Sequence, residues 1–203
     1  GTLSERQASY TRDIHDSGQH LLQIINNVLD MSKVEAGQYQ LFETAVDIGE
    51  VARTALSIVG GQARDRGLSL ETRMAADLPV VMADERTLRQ VLLNLLSNAV
   101  KFTHPGGRIT LSGGRNAEGD IEVHVGDTGI GIPPEALDLV MEPFQQANGS
   151  FSREYEGTGL GLTISKNFIE LHGGRLTIAS EVGVGTVVTV LLPKFRVLSD
   201  TGD

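Results

Sequence analysis

The stretch from Asp84 to Thr103 constrains the fold more than any other. Leu88, Val91, Leu92, Leu95 and Leu96 recur at helical spacing, so this segment predicts a helix whose apolar stripe must be covered by neighbouring structure. Asp84 suits its N-cap. Asn94 and Asn98 are four residues apart and Lys101 lies three further on, so all three share one face. Amides set into a leucine-rich helix cost free energy unless they are paired. Mg²⁺ accepts amide and phosphate oxygens together. The pattern therefore predicts a core helix with a ligand-facing strip, and the apolar neighbours disfavour a merely solvent-facing row of Asn.

Around this helix the periodicity changes along the chain. Ser4 to Ala36 reads as one helix, opened by a Ser4–Gln7 capping box and stopped by Gly37. Ile14, Leu21, Ile25, Val28 and Ser32 fall near heptad spacing, with Leu22 and Leu29 widening the stripe. A lone helix cannot bury such a stripe, so it calls for a partner helix. From Gln38 onward strands and helices mix. Short strands are expected at Tyr39–Thr44 and Val80–Met82, and longer ones at Leu68–Met74, Arg108–Gly114, Ile121–Asp127, Leu176–Ala179 and Thr186–Leu192. Helices are expected from Asp47, with Glu50, to about Arg66, and from Thr158 to His172. Thr128–Gly157 is a long irregular stretch rich in Gly and Pro, which in a compact domain points to a functional lid. Strand pairs with helices between them make an α+β sandwich with a largely antiparallel sheet.

Composition excludes several classes. With 203 residues the chain can hold one well-packed domain and an appendage. A net charge of −9 argues against a nucleic-acid surface, yet leaves room for a single nucleotide held by local cations and backbone N–H groups. There is no Cys, hence no disulfide or thiolate metal site, in keeping with a cytoplasmic setting. No apolar run has the length of a membrane span, and the first residues lack the parts of a signal peptide.

Two glycine motifs follow the Asn-bearing helix. In Asp127-Thr128-Gly129-Ile130-Gly131-Ile132-Pro133 an Asp ends a strand and meets glycines that let the backbone pass close to a flat ligand. Its carboxylate can accept from an exocyclic amine such as that of adenine. Gly157-Thr158-Gly159-Leu160-Gly161-Leu162 opens a helix, where free N–H groups and the helix dipole favour an anion. Its spacing is neither the dinucleotide fingerprint nor a P-loop. Either motif alone is weak; in this order, flanking the long loop, they reinforce each other.

At these residues the chain resembles the ATP-binding catalytic domain of bacterial sensor histidine kinases. Asn94–Phe102 is similar to that family's N box, Asp127–Gly131 to its first glycine box and Glu142-Pro143-Phe144 to its F box. Gly157–Gly161 resembles the second glycine box, and Gly183–Thr186 the closing G-x-G-T. The resemblance covers nearly all of 38–193 and implies a Bergerat-type two-layer sandwich with ATP and Mg²⁺ as cofactors. It implies Asn98 as the Mg²⁺ ligand with Asn94 beside it, and Lys101 as a phosphate contact. Phe102 would lie against the adenine, Asp127 at its amine, and Thr186 near the base through a water. The nucleotide pocket would also take in Gly129, Gly131, Ile132, Phe144, Gly157, Thr158, Gly159, Leu160 and Gly161. Asn94, Lys101 and Arg153 would act in transfer, with Arg153 reaching the γ-phosphate from the lid.

The first 37 residues resemble the second helix of the family's dimerisation and histidine-phosphotransfer domain, and 194–203 reads as a tail. The accepting histidine of the family stands on the first helix, in a His-Glu/Asp-x-x-x-Pro setting. His15-Asp16 imitates that pair, but His20 stands where the proline should be, so His15 is read as a surface histidine. His104, His124 and His172 lack metal-ligand spacing and are read as structural. The implied partners are a response-regulator receiver domain and a second copy joined through the helical hairpin. Two rivals share the fold. A gyrase- or chaperone-like ATPase carries a Glu one turn before the Mg²⁺-binding Asn, where this chain has Asn94; a non-transferring pseudokinase would keep nucleotide binding alone.

Overall fold

The computed structural model describes residues 4–145 and 159–198. It contains two compact units, one up to Tyr39 and one from Gln40 onward. The first is a single helix, α1 (Glu5–Glu35). Gln7 N–H donates to Ser4 Oγ and Ser4 N–H to Gln7 Oε1, closing the capping box. At the other end Gly37 takes a positive φ of 65°, and the N–H groups of Gly37 and Gln38 return to Val34 and Lys33 carbonyls. Ile14, Leu21, Leu22, Ile25, Val28 and Leu29 are all exposed along α1.

The second unit runs β1 (Thr44–Asp47), α2 (Ile48–Asp65), β2 (Ser69–Met74), β3 (Val80–Ala83), α3 (Glu85–Phe102), β4 (Arg108–Arg115), β5 (Ile121–Asp127), α4 (Gly161–Leu171), β6 (Arg175–Glu181) and β7 (Gly185–Leu192). The main sheet has the order β2-β4-β5-β7-β6. Its β2–β4 pair is parallel and the other three pairs are antiparallel. Inward rows of Ile121–Leu192, Val123–Val190–Leu176 and Val125–Val188–Ile178 cross β5, β7 and β6. Ile48 and Val51 of α2 and Leu88, Val91 and Leu92 of α3 close over Val123, Val190 and Leu192, around a small apolar void. The alternate positions Thr110, Ser112, Glu122 and His124 stay half-exposed, so helices cover one face only. The sheet is mainly antiparallel and the architecture is the two-layer sandwich that the strand and helix patterns require.

Two local expectations are corrected. The strand expected at Tyr39–Thr44 begins only at Thr44, because β1 is defined by antiparallel pairing with β3, Thr44 opposite Ala83. The helix expected from Thr158 begins at Gly161. Gly159 has a φ of 68°, and its close approach to the Phe144–Gln145 backbone holds it in a turn. Within 128–145 two short 3₁₀ turns form, Pro134–Ala136 and Leu139–Met141. Lys194–Arg196 makes a third 3₁₀ turn, after which Val197 bridges Val81 and Leu198 N–H donates to Val80 O.

Candidate functional site

The two ends of α3 are anchored differently. At its start Asp84 caps the helix, Oδ1 accepting from Thr87 N–H at 3.2 Å, while Oδ2 accepts from Phe42 N–H at 3.0 Å. Asp84 N–H donates to Nε2 of the fully buried His172 at 3.1 Å. His172 Nδ1 donates to Phe168 O at 2.7 Å, which fixes the neutral tautomer. Burial pushes the His172 pKa down and the Phe168 contact opposes that. Arg196 donates through Nε to His172 O, and through Nη1 to Met82 O at 2.8 Å and to Glu43 at 2.6 Å. These groups satisfy one another, so His172 is structural here, as its spacing suggested.

At the far end of α3 the last carbonyls are taken one by one. Thr103 Oγ1 donates to Ala99 O, Arg66 Nη1 to Val100 and Lys101 O, and Ile130 N–H to Phe102 O at 3.1 Å. The last of these docks the first glycine motif directly on the helix. A Cβ on Gly129 would run into Phe102 O, and one on Gly131 into the Glu181 carbonyl. These glycines are therefore required by the chain's own close packing, whatever ligand approaches. Lys101 and Phe102 are half-buried, with Lys101 Nζ 4.9 Å from the Phe102 ring centre.

Asn94 and Asn98 are half-buried rather than buried. Asn94 Nδ2 donates to Gly161 O at 3.3 Å and to Ser165 Oγ at 3.4 Å, and Ser165 Oγ donates back to Gly161 O at 2.8 Å. The Asn-bearing face of α3 thus meets the start of α4, where Leu160 is fully buried. Phe144 is exposed with a φ of 61°, and its N–H donates to Gly159 O at 3.1 Å. Arg153, Gly157 and Thr158 lie outside the described residues.

A polar row closes the apolar rows of the sheet. Asp127, Thr186 and Ser180 stand opposite one another across β5, β7 and β6, on the helix-covered face. Gly129 N–H donates to Asp127 Oδ1 at 2.8 Å. Burial raises the Asp127 pKa, against the backbone N–H groups of Gly129 and Thr186, which favour the charged form. Ile132 N–H donates to Ser180 Oγ at 2.7 Å. The structure thus brings together Asn94, Asn98, Lys101, Phe102, Asp127, Gly129, Gly131, Ile132, Gly161 and Thr186 on the adjoining ends of α3, α4, β5 and β7. Sequence reasoning missed Ser165 and Ser180. The signal for Ser180 was the inward alternation Leu176, Ile178, Ser180, a polar residue ending an apolar series.

The sequence of residues 83–196 matches the family model described as histidine kinase-, DNA gyrase B- and HSP90-like ATPase. The chain belongs to this family. Its relatives within the family include the histidine protein kinase DivJ of Caulobacter vibrioides, 44% identical over 95% of this chain and 32% of DivJ. The circadian input-output histidine kinase CikA of Synechococcus elongatus is 44% identical over 96% of this chain and 26% of CikA. Among solved structures, full-length ShkA in complex with AMPPNP superposes with a TM-score of 0.82 at 31% identity, covering 98% of this chain and 41% of ShkA. These relatives are named histidine kinases, and the chain spans about a quarter to a third of their length.

The donor set fits Mg²⁺ only as a co-ligand of phosphate. Among the described residues no cluster of three His, Cys, Asp or Glu side chains exists to hold an ion unaided. Half-buried amides on α3 supply oxygen without adding charge, and Mg²⁺ commonly takes one or two protein oxygens beside phosphates and waters. Among the described residues no helix is long and apolar enough to cross a membrane.

Proposed function

We propose that this domain binds Mg·ATP at the adjoining ends of α3, α4 and β5 and passes the γ-phosphoryl group to a histidine on a helix outside these 203 residues. The adenine sits beside Phe102, its amine facing Asp127, with Gly129, Gly131, Ile132, Phe144 and Thr186 around it. The phosphates run toward Lys101, Gly159, Leu160 and Gly161, and the sequence motif adds Gly157 and Thr158 to their contacts. Asn98 holds the Mg²⁺, which neutralises charge on the phosphate oxygens when bound. Transfer forms a P–N bond to the acceptor imidazole and breaks the bond to ADP; Lys101 and Arg153 balance the charge that develops.

The observation that carries kinase over ATPase chemistry is Asn94. Its Nδ2 is committed to Gly161 O and Ser165 Oγ, and an amide cannot take a proton from water near neutral pH. With no base there, bound ATP survives until the acceptor arrives. The ADP-forming step is thereby tied to the imidazole.

Further parts of this proposal rest on the family likeness and on α1. Residues 1–37 are the second helix of a dimerisation and phosphotransfer hairpin, its exposed stripe covered by helices of a second copy. Residues 38–193 form the catalytic domain. The phosphoryl group continues to the receiver domain of a response regulator, in the cytoplasm. The test joins the upstream segment to this chain and supplies γ-labelled ATP. Acid-labile, base-stable label on the protein is the expected result. Release of free phosphate with no label on protein would return the reading to an ATPase.

A further inference from the structure

Ser180 Oγ has three partners. Ile132 N–H donates to it at 2.7 Å, Gly185 O lies at 3.0 Å and Thr186 Oγ1 at 2.8 Å. A hydroxyl has one proton and two lone pairs. The Ile132 contact uses one lone pair, since an N–H only donates. The Gly185 contact uses the proton, since a carbonyl only accepts. All three contacts are met only if Thr186 donates its own proton into the second lone pair of Ser180. Thr186 Oγ1 then has no proton left to offer. Thr186 and Asp127 face each other across β7 and β5, on the same side of the sheet.

We propose that Ser180 is a specificity-positioning residue. By taking the Thr186 proton it leaves Thr186 as a pure acceptor beside Asp127, so this end of the pocket reads an amine on position 6 of a purine and disfavours a carbonyl there. The inference rests on the reading that the purine docks against Asp127. An exocyclic amine brings two donors to an acceptor edge. A 6-oxopurine brings lone pairs toward lone pairs, and leaves acceptors on the protein without a partner.

The substitution Ser180→Ala removes the proton sink. Thr186 can then rotate its hydroxyl and donate to a 6-carbonyl. Calorimetric titrations of the 203-residue chain with ATP and with inosine triphosphate, both with Mg²⁺, read this directly. The wild-type chain is expected to prefer ATP. Ser180→Ala is expected to tighten inosine triphosphate roughly three- to tenfold, the worth of one hydrogen bond, with no matching gain for ATP. Ser180→Thr, which keeps the hydroxyl, should retain the wild-type preference. Damage to the fold alone would weaken both nucleotides together, and that result, or an unchanged ratio, overturns the role of Ser180. If Ser180→Ala does not fold, Thr186→Val takes its place. It deletes the acceptor and should lower the ATP preference from the ATP side; an unchanged preference overturns the proposal. A wild-type chain that binds no ATP, or whose ATP binding ignores Asp127→Asn, sinks the pocket reading itself and this inference with it.

Discussion

Two of the aspartates at strand ends in this domain, Asp84 and Asp127, are spent in opposite ways. Asp84, after β3, is 2% exposed, and each of its oxygens already accepts from a backbone N–H group. Around it, His172, Arg196 and Glu43 complete one another's hydrogen bonds. Asp127, the last residue of β5, is only half-buried, and burial pushes its pKa up in spite of two N–H groups. A carboxylate held less comfortably than it would be in water leaves free energy for a ligand that donates to it. The contrast separates a polar cluster that builds the fold from one prepared for a partner.

The comparison breaks most visibly at Asp84. Asp84→Ala uncaps α3 and orphans the buried Thr87 N–H and the Phe42 N–H, while the backbone bond from residue 84 to His172 survives, and should cost about 2–4 kcal/mol of stability. Urea unfolding measures it. A loss below about 1 kcal/mol would mean that the cluster is not the anchor described.

His172 sharpens the same side. Its folded pKa is lowered from 6.5, so the unfolded chain binds the proton more readily. The stability it contributes is complete above pH 6.5 and is lost as pH falls below that value, by at most about 1.4 kcal/mol per pH unit. The charges facing the ring are Asp84, Arg196 and Glu43. Unfolding midpoints at pH 7.5 and 5.5 should converge in His172→Gln relative to the wild-type chain. An equal pH slope in both would remove His172 from the account.

At Asp127 the expected change in stability is smaller and of the other sign. Folding disfavours the ionised carboxyl, so at pH 7 Asp127→Asn should leave the urea midpoint unchanged or move it slightly upward. A clear loss would make Asp127 a second anchor and erase the contrast. Smallest of all is His15→Gln. His15 is exposed on α1, and the substitution should change neither ATP affinity nor labelling.

Much of this was legible where the cause is local. Asp47, Asp84 and Ser4 announced helix starts because a cap needs only the residues beside it. The inward alternation of β5 and β7 was equally plain. What was not legible depends on distant partners. β1 lies at Thr44–Asp47 because β3, more than thirty residues later, pairs there. The motif at 129 and 131 suggests room for a ligand, whereas the Phe102 and Glu181 carbonyls already demand these glycines. Helical spacing shows Asn94 only as a ligand-facing amide, because its partner Gly161 on α4 is sixty-seven residues away. Lys194–Leu198 read as a tail because nothing in its composition reveals Val81 or His172 as neighbours.

The central claim, a Mg·ATP site built on Asn98 and Asp127, is tested most directly by calorimetric titration of ATP and ADP into three proteins: wild type, Asn98→Ala and Asp127→Asn. The account predicts that Asp127→Asn weakens ATP and ADP alike, about tenfold or more, because both share the base. Asn98→Ala should weaken ATP chiefly when Mg²⁺ is present. Unchanged affinity in both variants, with the wild-type chain binding ATP, would place the nucleotide elsewhere and contradict the account.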